Sequence, residues 1–374
     1  MNLAPDCTHY LGDRPCRHRQ RCRCEHYAPR RPRIAILKLG ALGDVVRTAC
    51  LLPTLKSLHP ESHITWVSKP NGARILAGHP QIDRLMVFDA ETMLTLAQQR
   101  FDLVLSLDKE PGPAALCNAL TCDDKRGIGL SPWGTPVPLN AACEPYFELG
   151  LDDDLKFHRN RKTYPQLIHE ALGLGYIRRP YRLYPSGDAL RRASEIAAPW
   201  RARAAGPLVG LNTGAGAVFA NKAPSPPRWV AIAAALLERG CSIVLLGGPE
   251  EAAANAWIAE RLDGPVHDVG SRNSEAEFVA LVGQCDAVIT GDTFALHAAV
   301  ARRVPVVGLF GPTCAQEIDL FDLGRKLVAP VDCGPCYRRQ CDRPHSCMDA
   351  IAIDSIVDAV EALCRRRTAR QVAS

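Results

Sequence analysis

The sequence lacks any apolar run of the roughly 18 to 20 residues that a helix needs to cross a bilayer. Its first seven residues also lack the basic and then apolar pattern of a secretory signal. The composition has no strong bias, since 47% of the 374 residues are hydrophobic and 23% are charged, which excludes a fibrous or disordered chain. We therefore expect a globular cytoplasmic protein, and the length favours two domains.

Cysteine, in contrast, is abundant, with 16 residues in the chain. Thiols in the cytoplasm are kept reduced, so these cysteines do not indicate a disulfide scaffold. Half of them fall in two clusters, and clustered thiolates suit tetrahedral zinc or iron. Reduced structural thiols and an occasional disulfide are the alternatives. The predicted metal ligands are Cys7, Cys16, Cys22, Cys24, Cys333, Cys336, Cys341 and Cys347.

The leader, residues 1–32, differs in character from the rest of the chain. Residues 1–33 hold eight arginines against three acidic residues, which accounts for the whole net charge of +5. The leader has few apolar residues, so a metal ion would give it a reason to fold, and His9, His18 and His26 are substitute ligands for its cysteines. Nucleic-acid binding is disfavoured because the leader has no interleaved aromatic residues beyond Tyr10 and Tyr27. Together with Arg365–Arg367 and Arg370, the leader could contact anionic lipids or phosphorylated glycans, or simply be solvated.

Apolar runs of strand length alternate with helical stretches through the rest of the chain, which predicts parallel sheets covered on both faces. The first series begins with a strand at Ile34–Leu39 and a helix at Val45–Leu58, and a second begins at Leu208. We predict an N-terminal domain at 33–180, a C-terminal domain at 181–330, and a cysteine-rich segment with a final helix at 331–374. Two such halves imply a cleft between them.

Three loops at predicted strand ends have the composition of ligand-binding loops. In open parallel sheets, ligands bind where strand ends meet helix N-termini, whose N–H groups favour anions. The first loop, residues 40–44, ends in Asp44, either a helix cap or a general base. The second, residues 212–216, is followed by Lys222 and suits a diphosphate, with a plain glycine turn as the alternative. The third, residues 290–293, places His297 one helical turn after Thr293. Its alternative is a structural one, with Asp292 as a helix cap and His297 as a core histidine. Neither a dinucleotide fingerprint nor a Walker sequence is present.

These loops resemble glycosyltransferase family 9, the heptosyltransferase family, over roughly Arg33 to the C-terminus. The resemblance rests on the stretches 38–48, 247–251 and 310–313, and on Gly291-Asp292-Thr293 with His297. It implies the GT-B fold, an α/β architecture in which two Rossmann-like domains with parallel sheets face a central cleft. By the same resemblance the last helix returns to the N-terminal domain, which would allow the two cysteine clusters to meet.

The resemblance also implies roles for individual residues. Asp44 corresponds to the catalytic base that takes the proton of the acceptor hydroxyl. Lys125, Arg126, Lys156 and Arg159 are expected to contact acceptor phosphates, or else form a solvated basic surface. The residues expected to bind the donor are Thr213, Gly214, Lys222, Glu250, Asp292, Thr293, His297 and Gly311.

The implied reaction is inverting transfer of a heptose, or a related sugar, from a nucleotide-sugar such as ADP-heptose to a lipopolysaccharide core or related glycan. No cofactor would be required for catalysis, because Lys222 and helix N–H groups would stabilise the leaving diphosphate. The expected partners are the nucleotide-sugar donor and a lipid-linked glycan acceptor, met by a cytoplasmic enzyme peripheral to the inner membrane. Two alternatives remain: a heptosyltransferase of the autotransporter type that modifies proteins and holds a cysteine-bound metal, and a non-catalytic, metal-dependent binding protein of the same fold.

Overall fold

The computed structural model describes residues 3–343 and 346–372, and for residues 217 and 368–372 it describes the backbone alone. Residues 1–2 of the predicted leader and residues 373–374 of the predicted tail therefore lie outside the described part. Residues 344–345 of the second cysteine cluster and the side chain of Arg370 also lie outside it. In the helices that are described, none is both long and apolar enough to cross a membrane.

The first half of the chain forms a six-stranded sheet with the order β3-β2-β1-β4-β5-β6, parallel except for the β5–β6 pair. Its strands are β1 (Arg33–Leu37), β2 (His63–Ser68), β3 (Arg84–Val87), β4 (Leu103–Ser106), β5 (Lys125–Leu130) and β6 (Pro136–Pro138). Its helices are α1 (Leu42–Thr48), α2 (Leu51–Leu58), α3 (Pro70–Leu76), α4 (Ala90–Ala97), α5 (Pro111–Ala119), α6 (Glu144–Glu148) and α7 (Tyr164–Ala171).

The second half forms another six-stranded sheet, entirely parallel, with the order β12-β11-β10-β7-β8-β9. Its strands are β7 (Leu208–Asn212), β8 (Ser242–Leu246), β9 (Val266–Asp268), β10 (Ala287–Gly291), β11 (Val306–Phe310) and β12 (Gly324–Val328). Its helices are α8 (Gly187–Arg203), α9 (Pro226–Glu238), α10 (Ala252–Ala259), α11 (Glu275–Val282), α12 (Phe294–Ala301) and α13 (Ile353–Val372). Two facing α/β halves confirm the predicted GT-B architecture, while the predicted domain boundaries stay a prediction.

Local sequence explains where several helices of the second half begin. The Ser186, Ser225 and Ser274 side chains accept the backbone N–H groups of residues three positions later and so cap α8, α9 and α11. Ser274 and Glu277 complete a reciprocal capping box at α11. Capping of this kind satisfies N–H groups that the helix itself leaves unpaired.

The predicted single helix over Val45–Leu58 is wrong, because the structure divides it into α1 and α2 with Ala49 and Cys50 between them. Pro53 accounts for the break. It has no N–H to donate, and its ring clashes with the carbonyl of the residue four positions earlier, which is Ala49. The break leaves α1 as a short helix that carries Asp44 in its first turn.

Two contacts fix the arrangement of the halves and of the last helix. Helix α12, buried over Ala295–Ala301, packs against α1 of the other half, and both helices contribute to one continuous core. Helix α13 packs against α9 and β11 through Val357, Val360 and Leu363. The expectation that the last helix returns to the N-terminal domain is therefore wrong, since its apolar side chains complete the core of the second half.

Candidate active site

The strand order places one point of the first sheet where ligands characteristically bind. The order reverses between β1 and β4, and the crevice outside such a switch point is the usual ligand site of an open α/β sheet. Lys38 follows β1, and Asp108 follows β4. Lys38 Nζ donates to Asp108 Oδ1, and the N–H groups of Leu39 and Gly40 donate to Oδ2, the latter at 3.1 Å.

The Lys38–Asp108 pair fixes the first glycine loop. Both side chains are about 5% exposed, and a Cβ on Gly40 would lie 2.9 Å from Asp108 Oδ1 and from Lys38 Nζ. Burial lowers the pKa of Lys38, but Asp108 and Asp44 outweigh it, so the pKa is raised. The ammonium group therefore stays charged beneath the loop that carries Asp44.

Asp44 is an ionised carboxylate held in one position. Its Oδ1 lies 2.8 Å from Arg47 Nη2, one turn along α1. Burial raises the pKa of Asp44, but Arg47, Lys38 and His297 outweigh it and lower the pKa to about 2. Arg47 in turn stacks on the Tyr164 ring, 3.7 Å from its centroid. Asp44 does not cap α1, whose N-cap residue is Ala41, so the capping alternative does not apply.

His297 connects the two halves. It lies in the first turns of α12, and a Cβ on Gly43 would come within 2.7 Å of its ring. Its Nδ1 pairs with the Tyr181 hydroxyl at 2.8 Å, and its Nε2 lies 3.9 Å from Asp292 Oδ1. Burial lowers the pKa of His297 to about 4, so the imidazole is neutral near pH 7. It therefore bridges the loop of Asp44 and the loop of Asp292.

The second sheet has its own switch point, between β7 and β10. Asn212, which ends β7, donates from Nδ2 to Thr293 Oγ1 at 3.3 Å and to the carbonyl of Gly214 at 2.7 Å. Thr293 also pairs with Thr290 at 2.9 Å and does not cap α12, although it occupies the N-cap position. The N-terminus of α12 therefore keeps backbone N–H groups that suit an anion.

Lys222 adds a positive charge beside this loop. Its Nζ lies 3.6 Å from Asp292 Oδ2 and donates to the carbonyl of Asp292 at 3.3 Å. Arg47 of the first half is close enough to interact electrostatically with Asp292. The structure thus brings four predicted residues to one place between the halves: Asp44, Lys222, Asp292 and His297.

Other predicted donor residues lie nearby with different contacts. The Thr213 hydroxyl donates to Asn255 Oδ1 at 2.5 Å, and Gly311 packs under the Cys347 side chain. At the 247–251 turn, Glu251 accepts the Gly248 N–H at 2.8 Å and abuts Gly214, whereas Glu250 is exposed to solvent. These donor roles stay predictions, and Glu251 is the carboxylate that touches the loop.

The predicted acceptor residues divide into two groups. Lys125 donates to the carbonyl of Asn118, and Arg126 pairs with Asp124, so both are engaged locally on the first sheet. Arg159 pairs with Asp152 and Asp154 on the surface. Lys156 alone of the four reaches the other half, with its Nζ 3.9 Å above the Tyr337 ring.

Several residues at the site carried no sequence-based prediction. They are Arg47, Asp108, Tyr164, Tyr181 and Glu317. Of these, only Arg47 could have been predicted from the sequence, because a basic residue three positions after Asp44 lies on the same face of the helix. Glu317 lies within electrostatic reach of Lys156 and Arg47, and burial raises its pKa.

The metal predictions can be compared with the positions of the thiols, none of which forms a disulfide bond in the part of the chain that the structure describes. In the second cluster, burial raises the pKa of Cys347, and the nearby Cys333, Cys336 and Cys341 raise it further. These donors suit zinc or iron chemically. Within residues 3–343 and 346–372, however, no three His, Cys, Asp or Glu side chains are placed as a group that could hold a metal ion.

Comparison with known proteins identifies relatives along most of the chain. The model of "Glycosyltransferase family 9 (heptosyltransferase)" matches residues 162–346. Lipooligosaccharide heptosyltransferase 2 of Haemophilus influenzae is 21% identical over 310 residues, which cover 76% of this chain and 84% of that protein. The corresponding Haemophilus ducreyi protein is 22% identical over 300 residues, covering 75% and 84%.

Solved structures share the fold. A family 9 glycosyltransferase from Veillonella parvula superposes with a TM-score of 0.71 at 18% identity, covering 90% of this chain and 98% of that one. Escherichia coli ADP-heptose lipopolysaccharide heptosyltransferase II gives 0.65 at 17% identity, covering 90% and 99%. The iron-containing dodecameric glycosyltransferase TibC from enterotoxigenic E. coli gives 0.53 at 16%, covering 90% and 77%.

Proposed function

The chain belongs to glycosyltransferase family 9, the heptosyltransferase family, and we propose that it transfers a heptose from ADP-heptose to a lipopolysaccharide core or related glycan. The observation that carries this proposal is the position of Asp44, which faces Lys222 and Asp292 across a junction bridged by His297. A base on one side and a cation with free helix N–H groups on the other match the two ends of a glycosyl transfer.

In this reaction the acceptor hydroxyl lies against the Asp44 carboxylate. Its oxygen forms a bond to the anomeric carbon from the face opposite the diphosphate, so the configuration inverts. The bond between that carbon and the diphosphate oxygen breaks, and its electron pair leaves with the diphosphate. The hydroxyl proton passes to Asp44, which completes the balance of atoms and charge.

Asp44 is a weak base, because its pKa is lowered to about 2. We therefore place proton transfer late, after the new bond to carbon has made the hydroxyl oxygen acidic. Before that, the ionised carboxylate orients the hydroxyl and stabilises the positive charge that develops on the sugar. Arg47 keeps the carboxylate ionised and correctly turned, since it binds Oδ1 at 2.8 Å.

The leaving diphosphate would be received by the second half. Lys222 supplies a point charge, and the N–H groups at the N-terminus of α12 supply hydrogen bonds without moving. Asp292, beside Lys222, would accept hydrogen bonds from the hydroxyl groups of the sugar. Glu251, against Gly214, would contact the nucleotide at the turn where the sequence suggested Glu250.

The acceptor and location are also proposals. The curated relatives are named for lipooligosaccharide, so we propose a lipid-linked acceptor and peripheral contact with the cytoplasmic face of the inner membrane. The exposed Arg365 and Arg366 suit anionic headgroups there.

The proposal is tested by donor binding and transfer with wild type and Asp44→Asn. Thermal shifts with ADP-, GDP- and UDP-sugars identify the nucleotide, and labelled donor with truncated lipopolysaccharide measures transfer. We expect Asp44→Asn to keep the donor-induced shift and lose transfer by about 10²–10⁴-fold. Glu61→Gln, an exposed acid between α2 and β2, is the matched control and should transfer normally.

The same experiment separates the alternatives. Label that appears on a protein instead of a glycan would indicate a protein acceptor. Donor binding without transfer to any acceptor would indicate a binding protein that has lost catalysis. Normal transfer by Asp44→Asn would remove the proposed base.

A further inference from the structure

The leader makes contacts within itself. Its ends are joined by an antiparallel bridge between Cys7 and Pro29, and the Thr8 N–H donates to the carbonyl of Ala28 at 2.7 Å. Nearby, the Tyr27 hydroxyl donates to Asp6 Oδ2 at 2.5 Å. These contacts close residues 6–30 into a small module.

The module has almost no apolar core. Its buried hydrophobic side chains in the described residues 3–32 are Ala4 and Cys7. A segment of about 30 residues cannot bury enough apolar surface to fold alone and commonly depends on a metal or on disulfides. Its cysteines are free thiols, so disulfides do not supply the missing stabilisation.

The module holds a partly open cavity of about 120 Å³. Every cysteine and histidine of the leader lines it. A cavity left by imperfect packing would be lined by apolar side chains instead. These lining residues are Cys7, Cys16, Cys22, Cys24, His9, His18 and His26.

Three of the cysteines begin similar turns. The carbonyl groups of Cys7, Cys16 and Cys24 each accept the N–H of the residue three positions later, at 3.0 to 3.1 Å. Repeated turns at these positions direct the chain around the cavity, so the thiols come from separate reversals of the backbone rather than from one extended stretch.

Two histidines of the leader contact one cationic side chain. The His9 and His18 ring centroids are 4.7 Å apart, and the His18 ring stacks on His26 at 4.0 Å. Arg17 Nε donates to His18 Nε2 at 3.0 Å, and its Nη2 lies 3.4 Å from His9 Nε2. A guanidinium has donors only, so both Nε2 atoms present lone pairs to one positive group. A metal ion uses the same lone pairs.

We propose that residues 6–30 form a zinc-binding module in which leader cysteine thiolates and an imidazole Nε2 of His9 or His18 hold one ion. Mixed thiolate and imidazole donors suit tetrahedral zinc. The side chains surround the cavity without three of them closing on one point, so the ion draws the turns together and displaces Arg17. Binding and tightening of the module are therefore one event. This inference does not depend on the proposed glycosyl transfer.

The test is metal analysis of the full-length chain, purified without chelator and, separately, stripped and titrated with zinc alone. We expect Cys22→Ser/Cys24→Ser to lose about one zinc equivalent per chain relative to wild type. Cys333→Ser/Cys336→Ser, in the other cluster, is the matched control and should keep that equivalent. Zinc should also protect the arginine-rich turns at residues 14–23 from trypsin in wild type and in this control.

Arg17→Gln gives a second, opposite readout. Removing the guanidinium frees both Nε2 atoms and removes a positive charge beside the ion, so zinc should bind at least several-fold more tightly than to wild type. The proposal is overturned if the leader variant keeps all its zinc, if iron takes the site instead, or if zinc gives no protection against trypsin. An unchanged or weaker affinity in Arg17→Gln would overturn the assigned position of the ion.

Discussion

The two halves of the candidate active site are built from different interactions. The first half positions its groups with two charge pairs, the buried Lys38–Asp108 pair and the partly exposed Asp44–Arg47 pair. The second half uses hydroxyl and amide contacts around Thr293, and its lysine touches Asp292 at 3.6 Å. In the proposed transfer the first half holds a carboxylate ionised and oriented, whereas the second leaves N–H groups and a cation open to a diphosphate. The first half should therefore be the more sensitive to loss of a single charge.

The largest effect is expected at Asp108. Asp108→Asn leaves the Lys38 charge buried without its counter-charge, which costs about 3–5 kcal/mol of unfolding free energy. The matched control is Asp123→Asn, which breaks the exposed Arg100–Asp123 pair and should cost at most about 1 kcal/mol. Urea denaturation of both variants measures the difference. If both variants lost the same unfolding free energy, burial of the Lys38–Asp108 pair would not make the first half more sensitive to the loss of a charge.

Acid should weaken the junction between the halves. The pKa of His297 is about 4 when folded and about 6.5 when unfolded, so the unfolded chain takes up its proton first as the pH falls. Stability from this group is therefore complete above pH 6.5 and is lost towards pH 4, by up to about 3 kcal/mol.

His297→Gln tests the acid effect through the slope of its unfolding free energy against pH, and not through its stability at a single pH. Between pH 6.5 and 4 the variant should lose less unfolding free energy than wild type, even if it is less stable at pH 7. His59→Gln, at an exposed histidine, should keep the wild-type slope. His79, whose pKa burial also lowers to about 4, contributes to the loss that remains. A wild-type slope in His297→Gln would contradict the assignment.

In the second half, loss of Lys222 should weaken donor binding. One charge-assisted hydrogen bond to a diphosphate contributes about 1.5–3 kcal/mol, so Lys222→Met should raise the Kd for ADP roughly 10- to 100-fold. Lys56→Met, on α2 and paired with Asp83, is the control for removing a lysine. Calorimetric titration with ADP measures both. Unchanged ADP affinity with reduced transfer would place Lys222 on the acceptor side.

Some of this site could be predicted from sequence because loops after buried strands face one edge of a parallel sheet. That rule places Asp44 and Asp292, and Lys222 follows from the composition of the middle loop. Asp108 could not be found in the same way, since only the order of the strands, with β1 beside β4, brings it to Lys38. The choice between Glu250 and Glu251 depends on the direction of one turn, which the sequence does not specify.

Contacts between distant segments were also beyond the reach of sequence patterns. Tyr337, in the second cysteine-rich segment, stacks on Phe157 with centroids 5.4 Å apart, and its hydroxyl accepts the Cys314 N–H at 3.3 Å. Gln316 donates to the carbonyls of Lys156 and Phe157. The cysteine-rich segment thus touches the loop of the first half that carries Lys156, although no periodicity or spacing links these residues.

The smallest effect is expected at this contact. Tyr337→Ala removes the stacking on Phe157 and the ring beneath Lys156, each worth about 0.5–1 kcal/mol at a partly exposed site, so the acceptor KM should rise roughly 5- to 30-fold. The donor KM should not change, because Lys222 and the N-terminus of α12 are untouched. Tyr337→Phe keeps both ring contacts and loses only the hydrogen bond from Cys314, so it should lie between Tyr337→Ala and wild type. A rise in the donor KM instead would mean that the second cysteine-rich segment supports the donor half, and the division between the two halves would have to be redrawn.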